Sequence, residues 1–178
     1  MKIEDNFLEQ KDFDELQVLM MGPNIAWYFN DGIDYGIRGS DGKLTFSREG
    51  DRKKFQFTHN FFEYIPCSDH FKDLVPFVKK IAPLAITRIK ANLLTRTPEI
   101  IKNEFHTDIS DISEEKLKQL TTSVFYVNTN NGYTKFEDGT KVESVANRLV
   151  TFPSNLKHHG TSCTDEKTRV VINFNYFK

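Results

Sequence analysis

The chain has 178 residues and ordinary apolar content, which suits a single domain over residues 1–178 with one core. Lys plus Arg (24) nearly balances Asp plus Glu (25), so the basic excess of a nucleic-acid binder is absent, and no apolar run reaches membrane-spanning length. The start, MKIEDNFLEQKDFDEL, is acidic without the apolar stretch of a secretory signal, and Cys67 and Cys163 are too few for a zinc knuckle or a disulfide framework, so a cytoplasmic protein with free thiols is expected.

Phenylalanine is frequent, 16 residues, and predicts an aromatic core. Along the chain, Phe13, Leu16 and Met20 repeat at helical spacing over Gln10 to Met21, and Gly22-Pro23 stops that helix. Gly32, Gly36, Gly39 and Gly42 punctuate a polar stretch of turns and short strands. Phe55-Gln56-Phe57 reads as a strand fragment. A second helix follows Ser68, a suitable N-cap, with an apolar stripe of Phe71, Leu74, Val75, Val78 and Ala82. Pro76 inside that stripe requires a kink or a later start.

From Ile86 the period changes to two. Five strands are predicted: Thr87 to Leu94, Glu104 to Asp108, Thr122 to Asn128, Asn147 to Phe152 and Thr168 to Phe177. Gly132 and Asp138-Gly139 supply turns, and Asp111 to Leu120 reads as a short helix with an Asp111/Glu114 capping box. Helices first and strands after predict a β-sheet core with helices packed on one face.

Alternation sorts the strand residues into faces. In the last strand Val170, Ile172, Phe174 and Tyr176 oppose Arg169, Val171, Asn173 and Asn175; near Thr87, Arg88, Lys90 and Asn92 share one face; in the Glu104 strand, His106 and Asp108 share one with Glu104. A one-sided sheet facing water would show the same alternation. His, Asp and Arg together on such faces suit the lining of a cavity better.

His106-Thr107-Asp108 places an imidazole and a carboxylate on one strand face. Alone the pair is a weak signal, since Asp108 is equally suited to a turn. The pair His158-His159 follows another strand about fifty residues later. Two histidines and one carboxylate on one face of an octahedral ion leave three positions open, the facial triad of non-haem iron(II) oxygenases. A structural zinc site would need a fourth ligand, usually cysteine. Arg169, eleven residues after His158, has a planar fork that matches a carboxylate; its partner is either a dicarboxylate cosubstrate or an internal acid.

With these residues in view, the chain resembles the prolyl 4-hydroxylase-like branch of the Fe(II)/2-oxoglutarate oxygenases. The likeness covers most of the chain and is strongest in EFHTD, SVFYVNTNNGYTKFEDG and NRLVTFPSNLKHHGTSCTDEKTRVVINFNYF, and weaker in DNFLEQKDFDEL and ITRIKANL. It implies a mainly β (α+β) fold, a double-stranded β-helix or jelly roll with N-terminal helices packed on one sheet. It implies His106, Asp108 and His158 as iron ligands, with His159 at a variable position. Arg169 and Tyr126 would hold the far carboxylate of 2-oxoglutarate, and Asn92 falls near the residue contacting its metal-binding end. Many relatives carry Ser or Thr two residues after the arginine; Val171 stands there, leaving that contact to Tyr126. The implied reaction uses Fe(II), 2-oxoglutarate and O2 to hydroxylate an unactivated C–H bond.

The rivals are a metal cupin that does not use 2-oxoglutarate, in which Tyr126 and Arg169 have no role, and a non-catalytic jelly-roll binding module. The resemblance favours a prolyl or other residue of a protein or peptide as substrate, with a small molecule such as a free amino acid as the alternative; neither nucleic acid nor membrane is an expected partner. Trp27, Tyr28 and Phe29 are expected at the rim of the site.

Overall fold

Strands dominate the chain, seen in a computed structural model that describes residues 1–33, 54–109 and 112–178. In chain order the elements are β1 (Lys2–Glu4), α1 (Gln10–Met21), β2 (Tyr28–Asn30), β3 (Gln56–Glu63), β4 (Ile65–Pro66), a 3-10 helix (Asp69–Leu74) and α2 (Val75–Ile81). There follow β5 (Ala85–Thr95), α3 (Glu114–Gln119), β6 (Leu120–Tyr126), β7 (Tyr133–Phe136), β8 (Lys141–Glu143), β9 (Arg148–Pro153), β10 (His158–Gly160) and β11 (Thr168–Phe177). No helix among the described residues is long and apolar enough to cross a membrane.

The strands form two antiparallel sheets. The larger runs β1-β9-β6-β11-β5-β3-β2, with β4 paired to β3, and the smaller runs β10-β7-β8. β11, rich in β-branched and aromatic residues, is flanked on both sides, by β5 and β6. Its alternation divides the interior. Val170, Ile172, Phe174 and Tyr176 join a core with Phe13, Leu16 and Met20 of α1, Leu74, and Phe77 of α2. On the opposite face Val171, Val124, Tyr126, Val150 and Phe152 pack against Phe136 and Val142 of the smaller sheet. This is the jelly roll with N-terminal helices on one sheet.

α1 has the bounds that the 3.6-residue period predicts, and Gly22 ends it. The segment after Ser68 differs from the single stripe read in the sequence. Ser68 Oγ caps a 3-10 helix that runs to Leu74, and α2 then begins with Pro76 in its first turn, where a missing N–H costs nothing. The change of helix type rotates the buried face: Leu74 and Phe77 are buried, whereas Val75 is exposed. The expected strand from Glu104 to Asp108 is a single bridge, His106 to His158, because its partner β10 is three residues long and pairs with β7 on its other edge. The short helix after it is capped by Ser113, whose Oγ accepts from the Lys116 N–H, rather than by Asp111, which lies outside the described residues along with Gly36, Gly39 and Gly42. Asn147 adopts a left-handed φ of 61°, a conformation asparagine tolerates, and its side chain bonds both the N–H and the carbonyl of Leu8 at 2.8 and 2.9 Å. That clamp seats the N-terminal segment beside β9.

Phe77 is the hub of the helix-side core. It is 1% exposed, stacks on Phe174 at 4.0 Å and meets Phe125 edge-on at 5.0 Å. Phe77→Ala is expected to destabilise the protein by about 3–5 kcal/mol, because the rings around it are held by strands that cannot collapse inward. Urea unfolding should show the loss as a lower midpoint with an unchanged slope.

Candidate active site

The face of the larger sheet turned away from the helices lines a cavity of about 290 Å³. Register sets its order. Across β5 and β11, Arg169 pairs with Leu94, Val171 with Asn92, Asn173 with Lys90 and Asn175 with Arg88. Paired residues share a face, so these alternate positions form four rungs along one wall. Arg169 lies two pleats, about 14 Å of strand, from Asn173.

His106, Asp108 and His158 meet at the Asn173–Asn175 end, their ligand atoms all within 4.8 Å of one another. Two backbone hydrogen bonds of 3.0 Å, each from one histidine's N–H to the other's carbonyl, hold His106 beside His158. Both imidazoles are set in the same tautomer. Nδ1–H donates to the Glu104 carbonyl in His106 (3.0 Å) and to the Leu156 carbonyl in His158 (3.2 Å), which makes Nε2 the ligating nitrogen. Burial pushes the His158 imidazolium pKa down, against the pull of Asp108.

Asp108 is gripped from below by two amides of β11. Asn173 Nδ2 donates to both carboxylate oxygens, at 3.0 and 3.2 Å, and Asn175 Nδ2 to Oδ2 at 3.1 Å. Desolvation works to raise its pKa, but His158, Arg88, His106 and the Asn175 amide outweigh it and hold the carboxyl down to about 2. The residue is therefore an anion. A hard carboxylate and two imidazoles converging without a cysteine suit a first-row divalent ion with open positions. Nearby, burial and the charge of Arg88 push the Lys90 ammonium down to about 8, with Asp108 and Glu63 opposing.

Arg169 is 3% exposed. Nε donates to Ser144 Oγ at 2.9 Å and a terminal nitrogen to Thr134 Oγ1 at 3.2 Å. Among the described residues no carboxylate stands within ion-pair distance of it. The internal acid that would make Arg169 a structural cation is thus missing from its described surroundings, and its donors face the same cavity as the triad. Tyr126 sits behind this cluster. Its hydroxyl donates to Thr134 Oγ1 at 2.9 Å and its ring lies 5.7 Å from the guanidinium. Thr134, which the sequence reading passed over, is the hydroxyl that lines the cavity there. The next residues of the Tyr-Val-Asn motif are structural: Asn128 Oδ1 accepts from the Val170 N–H at 3.0 Å and its Nδ2 donates to the Thr168 carbonyl at 2.8 Å, fixing β11 on both sides of Arg169.

The remaining predicted residues fall as follows. Asn92 lines the cavity one rung from Arg169. His159 is buried but turned to Phe105 and Tyr133, outside the triad. His59 and His70 bond elsewhere, to Ala26 and Ser68 and to Asp73. Glu104, grouped with His106 in the sequence reading, is exposed and bridges to Lys54 at 3.1 Å, since a single bridge does not maintain strand alternation. Of the rim aromatics, Tyr28 and Phe29 are exposed on β2 while Trp27 packs against the helix-side core. Cys67 and Cys163 are both free thiols.

Two expectations follow. His158→Ala should abolish high-affinity Mn(II) binding, read by electron paramagnetic resonance, and His159→Ala should retain it; the reverse pattern would shift the register by one. Gly132 crowds the arginine: a Cβ there would lie 2.6 Å from Arg169 Cδ and 2.8 Å from the Ser162 carbonyl oxygen. Gly132→Ala should displace the guanidinium and weaken carboxylate binding by about tenfold or more while leaving Mn(II) affinity unchanged.

No family model matches the chain, and no curated protein does. Solved structures do. A prolyl hydroxylase from Trichoplax adhaerens, in complex with a peptide fragment of the hypoxia inducible factor oxygen degradation domain, is 14% identical at a TM-score of 0.60, over 99% of this chain and 82% of that one. The viral collagen prolyl hydroxylase of Paramecium Bursaria Chlorella virus-1, as its 2OG complex, is 14% identical at 0.55, over 99% and 95%. A 2OG-Fe(II) oxygenase family oxidoreductase from Burkholderia pseudomallei is 8% identical at 0.59, over 97% and 82%. The chain therefore has the jelly-roll fold found in prolyl hydroxylases and 2OG-Fe(II) oxygenases, over nearly its whole length.

Proposed function

We propose that the protein is an Fe(II)- and 2-oxoglutarate-dependent oxygenase that hydroxylates an unactivated C–H bond. One observation carries this reading: a buried arginine without a described carboxylate partner lies two pleats from a His-Asp-His cluster in the same cavity. A five-carbon dicarboxylate would join the two, one end on the ion and the other on the guanidinium. The solved viral relative is a 2OG complex, which supports the choice of cosubstrate.

His106, Asp108 and His158 would hold the iron, and Arg169 would take the far carboxylate of 2-oxoglutarate through its fork. Ser144 and Thr134 keep that fork aimed, with Tyr126 fixing the Thr134 hydroxyl from behind. Asn173 and Asn175 fix the Asp108 carboxylate so that it presents one orientation to the ion. Val124 and Val171 make part of the floor apolar, which keeps water sparse where the cosubstrate would lie. When bound, iron, 2-oxoglutarate and O2 together supply the oxidation, one oxygen atom passing to the substrate C–H bond and the other to succinate as CO2 leaves. For the substrate we favour a prolyl residue of a peptide, on the support of the peptide-bound Trichoplax relative. The exposed Tyr28 and Phe29 give aromatic surface for an extended chain.

Purified protein with Fe(II), ascorbate and 2-oxoglutarate should release succinate in step with O2 uptake. Absence of succinate with iron bound would remove the oxygenase reading and leave a binding module. Arg169→Ala should cost about 3–5 kcal/mol of 2-oxoglutarate binding, two to three decades or more in affinity, with partial rescue by Arg169→Lys, which restores charge but not the fork. Unchanged affinity in Arg169→Ala, with the fold intact by circular dichroism, would return Arg169 to a structural role.

A further inference from the structure

A second pocket, of about 540 Å³, opens between β3, the segment before β2 and the start of the 3-10 helix. It shares no lining residue with the triad cavity. The ladder accounts for the separation. His59 pairs with Ala91, which belongs to the helix-side core, whereas the next residue of β5, Asn92, faces the triad cavity. His59 therefore stands on the sheet face turned away from the triad, and the oxygenase reading makes no use of it.

The chemistry of this pocket centres on His59 and Ser68. His59 is 5% exposed, and both of its ring nitrogens are engaged. Nδ1 lies 2.7 Å from the Ala26 carbonyl oxygen and Nε2 lies 2.9 Å from Ser68 Oγ. A carbonyl only accepts, so Nδ1 carries a proton and Nε2 of the neutral ring is left as an acceptor. The Ser68 hydroxyl therefore donates to Nε2. A serine needed only as a helix cap uses its oxygen and leaves its proton to water. Ser68 does more: Oγ accepts from the His70 N–H at 3.1 Å while its proton is directed at a base. One lone pair of Oγ remains. Burial lowers the His59 pKa, the Ala26 hydrogen bond opposes this and the charge of His70 adds to it, which favours the uncharged ring that can take a proton.

A nucleophile thus sits within reach of a base whose far nitrogen is fixed by a third group, here a backbone carbonyl. The base is buried, and the nucleophile is half-buried at the pocket wall. Asn24 and Asn60 line the same pocket and carry amide N–H groups, donors of the kind that stabilise an oxyanion. Cys67 lines it too, but its thiol turns to the Ile65 carbonyl at 3.3 Å rather than to His59.

We propose that Ser68 and His59 form a second, metal-independent site that hydrolyses small carboxylic esters, with Ser68 as nucleophile and His59 as general base. Ser68 Oγ bonds to the acyl carbon as its proton passes to His59 Nε2. The C–O bond to the alcohol breaks, and the alcohol leaves with that proton. Water then bonds to the acyl carbon while giving a proton to Nε2. The bond to Oγ breaks, and the proton returns to Ser68. The products are an alcohol and a carboxylic acid, with no change in oxidation state. The Ala26 carbonyl exchanges no proton; it holds the ring in the required tautomer and supports its transient positive charge.

The test uses the full chain, a fluorophosphonate probe and p-nitrophenyl acetate, each with and without EDTA. Mass spectrometry should place the phosphonyl adduct on Ser68. Ser68→Asn keeps a capping oxygen and lacks the nucleophile, so it should stay folded by circular dichroism yet lose the adduct and about a hundredfold or more of the ester hydrolysis. His59→Gln should slow labelling of Ser68 by a similar factor. EDTA should change neither reaction, and succinate release should be the same in Ser68→Asn as in the wild type, because the two sites share no residue. No adduct on the wild type, or an adduct only on Cys67 or elsewhere, overturns the site. So does ester hydrolysis that survives Ser68→Asn at the wild-type rate, or that EDTA abolishes.

Discussion

Arg169 holds a full positive charge almost out of contact with water, and hydroxyl oxygens are its nearest partners. Burying a charge on those terms costs several kcal/mol. The surrounding structure is arranged to impose it. Asn128 brackets β11 on either side of the residue, glycines at 132 and 160 make room for the side chain, and Ser144 and Thr134 fix its direction. A fold that merely needed a packed strand would place an apolar residue there. The cost is offset when an anion arrives, which turns the site into a carboxylate trap aimed along the cavity toward the triad.

That arrangement depends on a sheet with two unlike faces. Behind β11, Phe77, Phe125 and Phe174 lock the strands against α1 and α2, so the rungs in front keep their spacing. In front, the same alternation delivers Arg169, Val171, Asn173 and Asn175 at fixed intervals. The triad reaches the wall from outside the large sheet, through the single bridge between His106 and His158, and the two β11 amides secure it through Asp108. Rigid helix packing and polar convergence are thus the two sides of one strand pattern.

Much of this is legible in residue order. The stripe of Phe13, Leu16 and Met20 and the alternation of β5, β6 and β11 follow from periodicities of 3.6 and 2, because each buries one face. β1, β7, β8 and β10 escape the same reading, being three or four residues long, too short for a period to register. His106, Asp108, His158 and Arg169 are marked by residue type, since charged and ligating groups on a strand face demand partners. Thr134 and Ser144 carry no such mark, because hydroxyls are common everywhere and only the folded arrangement of β7 and the loop after β8 brings them to Arg169. Tyr126 is expected from the resemblance at the far carboxylate of 2-oxoglutarate; its hydroxyl donates to Thr134 Oγ1, a relation between strands that no local pattern reveals. Alternation puts Glu104 on the face of His106 and Asp108, but the structure has a single bridge there and Glu104 turns to Lys54.

If one ligand is held at its two ends, by the metal and by Arg169, then binding of metal and of 2-oxoglutarate must be coupled. Calorimetric titration of 2-oxoglutarate into the metal-free and the Mn(II)-loaded protein, without O2, measures this directly. The metal should raise 2-oxoglutarate affinity by about tenfold or more and raise that of glutarate, which lacks the chelating oxo group, far less. Equal 2-oxoglutarate affinity with and without metal would contradict a cosubstrate spanning the triad and Arg169.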